Sequence, residues 1–136
     1  GATAYCRAAE ALLARYPGGA LRSEAWAAAE AISTGVDSAE RRVCAQLLLP
    51  PLVRATDDAE AARRLSGFVG ALLDGGSRAD IADALALGVA FHGPLLALWR
   101  LGSLTGEHDG TGERLIECGL RFGLKENASL RRQARF

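Results

Sequence analysis

The sequence predicts an all-α protein, built as a single-domain antiparallel array of about six to seven helices. Apolar residues make up 49% of the chain and aromatic residues only 6%, so Ala, Leu, Val and Ile must fill the interior. Such side chains suit close-packed helices better than a sheet. Apolar residues also recur at intervals of three and four, between pieces bounded by Gly, Pro and capping residues. Because 136 residues is the usual size of one domain, we expect one domain over 1–136.

Two helices are predicted in the first 35 residues. In residues 3–16, apolar side chains alternate with Glu10 and two arginines, which we assign to solvent, and Pro17 with two glycines ends the helix. Residues 21–35 carry small apolar side chains at helical spacing and end at Gly35.

Two further helices follow, and each has a start signal. Asp37 precedes Glu40 by three residues, a capping box that predicts a helix from about Ser38. Pro50 and Pro51 remove two backbone donors, so we expect an end or a sharp kink at residue 49. Residue 56 or 57 caps the next helix, whose apolar stripe ends at a glycine pair, 75–76.

The last part of the chain contains its most apolar run. Ser77 and Asp80 form a second capping box, which opens a helix that is apolar nearly all round from residue 84 to 91. Pro94 predicts a kink or a restart there. Residues 102–112 are rich in turn formers and predict a loop before a short helix, and the tail 124–136 is expected to be frayed or flexible.

Charge and cysteine content narrow the function classes. Sixteen basic and sixteen acidic residues cancel, which disfavours binding to nucleic acid or to an anionic membrane. Cys6, Cys44 and Cys118 lack the paired spacing of a zinc or dithiol site, so we expect reduced thiols, no metal and no cofactor. Without a visible signal peptide or an uninterrupted span of ~20 apolar residues, we expect a cytoplasmic protein.

A family resemblance rests on four motifs between residues 71 and 100. They read ALLDG (71–75), SRADIAD (77–83), FHG (91–93) and LLALWR (95–100). This pattern resembles the carboxymuconolactone decarboxylase-like family, which includes thiol enzymes of the alkyl hydroperoxide reductase D type, although Asp80 and Asp83 stand where glutamates are usual. The resemblance covers about residues 37–101 and implies a helical core, an organic acid or lactone substrate, and a trimeric or hexameric assembly.

The redox residues of that family are missing from this chain. The thiol members carry Cys-x-x-Cys-x-x-x-His before the Ala-Leu-x-x-Gly turn, and Glu60, Arg63 and Gly67 stand at those places here. A thiol peroxidase or disulfide reductase activity is therefore disfavoured, because both thiols and the base are absent.

His92 is the candidate catalytic residue. An imidazole titrates near neutral pH, and this one lies at a helix break inside an apolar run, where a cavity would limit access of water. The alternative is a core histidine that hydrogen-bonds to a backbone carbonyl freed by Pro94.

Five residues are candidates for substrate binding. Glu60 and Arg63 lie three apart, a spacing that suits either a clamp for a carboxylate or a solvated surface pair. Phe68, Phe91 and Trp99 are expected to line the apolar part of a pocket, with ordinary core packing as the alternative.

Two functions follow from these observations. The first is a small-molecule-binding, non-redox enzyme of the lyase or isomerase type, in which His92 performs acid–base chemistry on an organic acid or lactone. The second is a non-catalytic helical module that binds a ligand or a protein partner. In both cases the expected partners are a small organic molecule and further copies of the chain.

Overall fold

The protein is all-α, as the composition and spacing predict. A computed structural model describes residues 1–105, 110–125, 128, 131 and 132, and within them it contains eight helices and no strand. The helices are α1 (Ala2–Arg15), α2 (Gly19–Ser33), α3 (Ser38–Leu47), α4 (Leu49–Arg54), α5 (Asp58–Gly75), α6 (Arg78–Ala90), α7 (His92–Thr105) and α8 (Thr111–Phe122).

The chain divides into two compact units, Gly1–Ala61 and Ala62–Phe136. Helix α5 begins in the first unit and continues into the second. The single domain expected from the length stays a prediction, and the two units are described in turn.

The first unit is built around α3 and α4. Helices α1 and α2 both pack against α3, and α4 packs against all three of these helices. Helix α1 buries Cys6, Ala9 and Leu13, whose spacing of three and four places them on one face. Trp26 of α2 and Leu52 of α4 are among the large buried side chains of this core.

The break between α3 and α4 occurs where the proline pair predicts it. Asp37 caps α3, accepting hydrogen bonds at Oδ1 from the backbone amides of residues 39 and 40, at 2.9 and 3.2 Å. Helix α3 ends at Leu47, and Pro50 and Pro51 lie in the first turn of α4. Prolines fit there because the first turn of a helix needs no amide donors of its own. The predicted end of one helix is therefore followed at once by another.

The second unit places α6 against both α7 and α8, and α7 also packs against α8. Ser77 and Asp80 form the predicted capping box in full, each side chain accepting a hydrogen bond from the other residue's amide, at 3.0 and 3.3 Å. Trp99 donates its indole N–H to Ser66 Oγ at 3.0 Å. A Cβ at Gly112 would lie 2.9 Å from the Trp99 ring, so this close approach of α8 requires glycine.

Pro94 produces the predicted restart, although the break itself is three residues earlier, at Phe91. Helix α6 and the segment 92–102 of α7 are bent by 95° relative to each other. The predicted loop begins later than residue 102, because α7 continues to Thr105, and the prediction for the tail 124–136 lies largely outside the described residues.

The helices were compared by length and hydropathy with a membrane span. Among the described residues, no single helix has both the length and the apolar character needed to cross a bilayer. Helix α6 and the segment 92–102 of α7 reach the required length and hydropathy only as a pair with a sharp bend between them.

Candidate functional site

His92 lies at the predicted helix break, as the first residue of α7, but it is exposed. Its Nδ1 lies 3.0 Å from the backbone carbonyl oxygen of Val89. Since a carbonyl oxygen only accepts, Nδ1 carries the proton and Nε2 is left as the basic nitrogen. The carbonyl that Pro94 leaves without a donor is that of Ala90, whereas His92 contacts Val89, so the contact differs from the predicted one. The expectation that the apolar run shelters the imidazole from water is wrong.

The aromatic candidates of the second unit differ in exposure. Phe68 of α5 and Trp99 of α7 are buried, at 4% and 5% exposure, and Phe91 is partly buried at the end of α6. Trp99 hydrogen-bonds to Ser66 and packs against the backbone of Gly112. These contacts are those of a core residue, which was the alternative to pocket lining for Trp99.

Glu60 and Arg63 lie one turn apart on α5. Glu60 is partly buried and Arg63 is exposed. Among the residues that the structure describes, Arg63 forms no ion pair, so the solvated surface pair that was one alternative for these residues is not formed. Their role as a carboxylate clamp stays a prediction.

A cavity of about 300 Å³ lies in the first unit, between α1 and α4. One wall consists of residues at positions i, i+3, i+4 and i+7, which is one face of α1 and its continuation into Pro17. The other wall has the i, i+3, i+4 spacing on α4. The lining residues are Glu10, Leu13, Ala14, Pro17, Pro51, Arg54 and Ala55. None of the residues predicted for the site lines this cavity.

The cavity combines apolar walls with one charge of each sign. Leu13, Pro17 and Pro51 are apolar, whereas Glu10 supplies a carboxylate and Arg54 a guanidinium group. In the part of the chain that the structure describes, neither charged group makes a hydrogen bond or an ion pair. Both charges therefore remain available to a bound molecule.

The end of α1 leaves the carbonyls of two cavity-lining residues without helical donors. In a continuing helix, the carbonyl of Leu13 would accept from the amide of residue 17, but Pro17 has no amide proton. The amide of Tyr16 bonds to Leu12 instead, at 2.7 Å. Within the described residues the carbonyls of Leu13 and Ala14 thus lack helical donors, and they carry the partial negative charge of a helix C-terminus.

Long-range hydrogen bonds hold the end of α4 in place. Trp26 donates its indole N–H to Thr56 Oγ1 at 2.9 Å, and Thr56 Oγ1 donates to the carbonyl of Leu52 at 2.6 Å, all in buried surroundings. Arg22 Nη1 donates to the carbonyl of Ala55 at 2.8 Å. These bonds from α2 fix the turn after α4, and with it the position of the wall that carries the guanidinium group.

Cys6 and Cys44, 38 positions apart in the sequence, are both fully buried in the core of the first unit, close enough for each to affect the pKa of the other. Ser33 Oγ donates to Cys44 Sγ at 3.6 Å. Burial raises the pKa of Cys6, and burial is also the main reason why the pKa of Cys44 is raised to about 12. Both thiols are therefore protonated at neutral pH, whereas a nucleophilic cysteine needs a thiolate.

The sequence does not predict the cavity, although one of its two walls has a recognisable pattern. Glu10, Leu13, Ala14 and Pro17 share one helix face, and that pattern alone is typical of any amphipathic helix. The cavity also needs the lining residues of α4, and these lie near α1 only because the two helices pack against each other in the fold. Among the described residues no group of three or more His, Cys, Asp or Glu side chains has the arrangement of a metal site.

Comparison with protein-family models, with curated proteins and with solved structures finds no match to this chain. The family resemblance of residues 37–101 therefore stays a prediction that rests on the motifs themselves.

Proposed function

We propose that this chain is a small-molecule-binding protein that holds an organic acid in the cavity between α1 and α4. The observation that carries the proposal is the exposed Arg54 guanidinium at the wall of an open cavity with polar and apolar surface, with no ion pair among the described residues. A planar guanidinium matches a carboxylate with two parallel hydrogen bonds.

The size of the cavity supports a metabolite rather than a large cofactor. Ligand pockets commonly measure about 300–1,000 Å³. This cavity, at about 300 Å³, stands at the lower end of that range. Its apolar surface, from Leu13 and the two prolines, suits a short aliphatic portion beside the carboxylate.

Acid–base catalysis by His92 is the second candidate function. This function is supported by the contact between His92 Nδ1 and the Val89 carbonyl. In that contact Nδ1 donates its proton, which leaves Nε2 free to accept one. The exposure of the imidazole weighs against this function, because general bases act best where water is limited. Its substrate class, an organic acid or lactone, and its family come from the resemblance alone.

One experiment tests both functions. A panel of short monocarboxylic acids and their amino and hydroxy derivatives is titrated into the whole chain by isothermal calorimetry and ligand-observed NMR. We expect Arg54→Gln to weaken binding of the acids by about tenfold, the effect of losing a charge-assisted hydrogen bond. Arg42→Gln removes an exposed arginine of α3 that does not line the cavity, and it should bind like the original chain.

The outcomes separate the two sites. Equal affinities for the Arg54 and Arg42 variants, or no binding by any acid, would contradict the proposal. Loss of binding or of turnover in His92→Ala, with Arg54→Gln unaffected, would instead assign the function to the break between α6 and α7.

A further inference from the structure

We infer that the ligand of the α1–α4 cavity is a zwitterion of the aliphatic amino acid class, with its carboxylate at Arg54 and its ammonium group at Glu10. This inference rests on the proposed function and specifies its ligand. The observation behind it is that two unengaged charges of opposite sign line a single small cavity.

A simple carboxylate does not suit the charges of this cavity. Its attraction to Arg54 is opposed by repulsion from Glu10, which lines the same space. The carbonyls of Leu13 and Ala14 add to the negative potential on the α1 side, because the C-terminal end of a helix favours cations. A ligand that brings an ammonium group to that side converts the repulsion into attraction.

The α1 side also offers the acceptors that an ammonium group needs. An ammonium group has three N–H donors and no acceptor. The Glu10 carboxylate is one turn before Leu13 and Ala14, whose carbonyls lack helical donors within the described residues. Pro17 matters here because it withholds the amide that would otherwise occupy the Leu13 carbonyl.

The opposite wall is arranged for the anionic end of the ligand. Arg54 is the last residue of α4, and the following turn is fixed by the hydrogen bonds from Arg22 and Trp26. These bonds hold the backbone from which the exposed Arg54 side chain extends, and a fixed backbone lowers the entropy lost when a ligand is bound. Leu13 and Pro51 then face the aliphatic portion between or beside the charged groups.

Three molecules of nearly equal shape test the inference on the whole chain. L-leucine carries both charges, 4-methylpentanoate carries only the carboxylate, and 3-methylbutylamine carries only the ammonium group. Affinities are measured by isothermal calorimetry at low and high sodium chloride concentration. We expect leucine to bind up to about fivefold tighter than either analogue, because an exposed ion pair contributes at most about 1 kcal/mol.

Glu10→Gln should remove the preference for leucine over 4-methylpentanoate, while binding of the carboxylate alone is retained or improved. The matched control is Glu30→Gln, an exposed glutamate of α2 outside the cavity, which should keep the preference.

The outcomes distinguish this inference from the function on which it rests. Equal binding of leucine and 4-methylpentanoate, with dependence on Arg54 and none on Glu10, overturns the zwitterion and leaves the organic-acid site standing. Tighter binding of 3-methylbutylamine than of leucine overturns both the zwitterion and the role of Arg54. Absence of binding by all three molecules, and by the wider panel of acids, overturns both proposals.

Discussion

The Cys44 thiol couples the stability of the protein to alkaline pH. Its pKa is raised from 9.0 to about 12, chiefly by burial. Below pH 9 the thiol is protonated in both the folded and the unfolded chain, so its contribution to stability is complete. Between pH 9 and 12 the unfolded chain releases the proton while the folded chain retains it, and that contribution is lost as the pH rises.

We therefore expect the free energy of unfolding to fall more steeply above pH 9 for the original chain than for Cys44→Ala. The difference in slope approaches about 1.4 kcal/mol per pH unit, the value for one proton. Urea titrations at a series of pH values between 8 and 11 measure it. Cys118→Ala changes a partly exposed thiol and should keep the original slope. Parallel slopes for the original chain and Cys44→Ala would contradict the prediction.

For single residues, the sequence predicts where a side chain lies along a helix better than it predicts which other helices lie around it. His92 lies near the helix break that Pro94 predicts, because proline acts on the backbone next to it. Its exposure depends on which helices cover the break, and nearby sequence does not contain that information. Glu10 is exposed, as the sequence predicts, but the sequence does not show that α4 lies nearby, because a charged side chain on an outer helix face looks alike with or without a second helix beside it.

For the helices, the sequence predicts the starts, ends and breaks that are caused by residues close by in the chain. The caps at Asp37 and Ser77 and the break before Pro50 all arise from side chains within four residues of the feature. The hydrogen bond between Trp26 and Thr56 joins residues 30 positions apart, and no local pattern predicts it. Thr56 was a candidate cap for α5, but Asp57 Oδ1 accepts from the Ala59 amide instead.

The bonds of Thr56 give a prediction about the turn after α4. Thr56→Val preserves the shape of the side chain but leaves the Trp26 N–H and the Leu52 carbonyl without their partner. We expect a loss of about 1–3 kcal/mol in the free energy of unfolding, because both groups are buried. Urea unfolding followed by circular dichroism measures this loss.

Two controls accompany that variant. Thr56→Ser keeps the hydroxyl and should retain most of the lost stability. Thr34→Val removes an exposed hydroxyl that donates to the Glu30 carbonyl, and it should change stability by less than about 0.5 kcal/mol. If Thr56→Val and the original chain are equally stable, the two hydrogen bonds make no net contribution to the free energy of unfolding.

For the whole molecule, the first helix presents apolar side chains to solvent. Tyr5, Leu12 and Tyr16 are 39%, 44% and 57% exposed. Tyr5 and Leu12 are seven residues apart, so they lie on the same face of α1. Exposed apolar side chains on one helix face can form a contact between subunits, so this face is where the homo-oligomer expected from the sequence can be tested.

We accordingly expect the protein to have a mass above the 14.2 kDa of one chain at micromolar concentration, measured by light scattering after size exclusion. Leu12→Lys should shift the mass toward one chain, because it places a charge in the contact. Val36→Lys alters a fully exposed apolar residue in the turn before α3 and should leave the mass unchanged. A monomeric mass for the original chain would exclude the oligomer.

The two tryptophans have a practical consequence. Trp26 belongs to Gly1–Ala61 and Trp99 to Ala62–Phe136, and each donates its indole N–H to a buried hydroxyl. Because the chain contains no other tryptophan, each unit carries one intrinsic fluorophore with its own hydrogen-bonding environment. A chain with a single tryptophan replaced by phenylalanine would report optically on one unit alone, so events at the cavity and events around α6 to α8 can be followed separately in one protein.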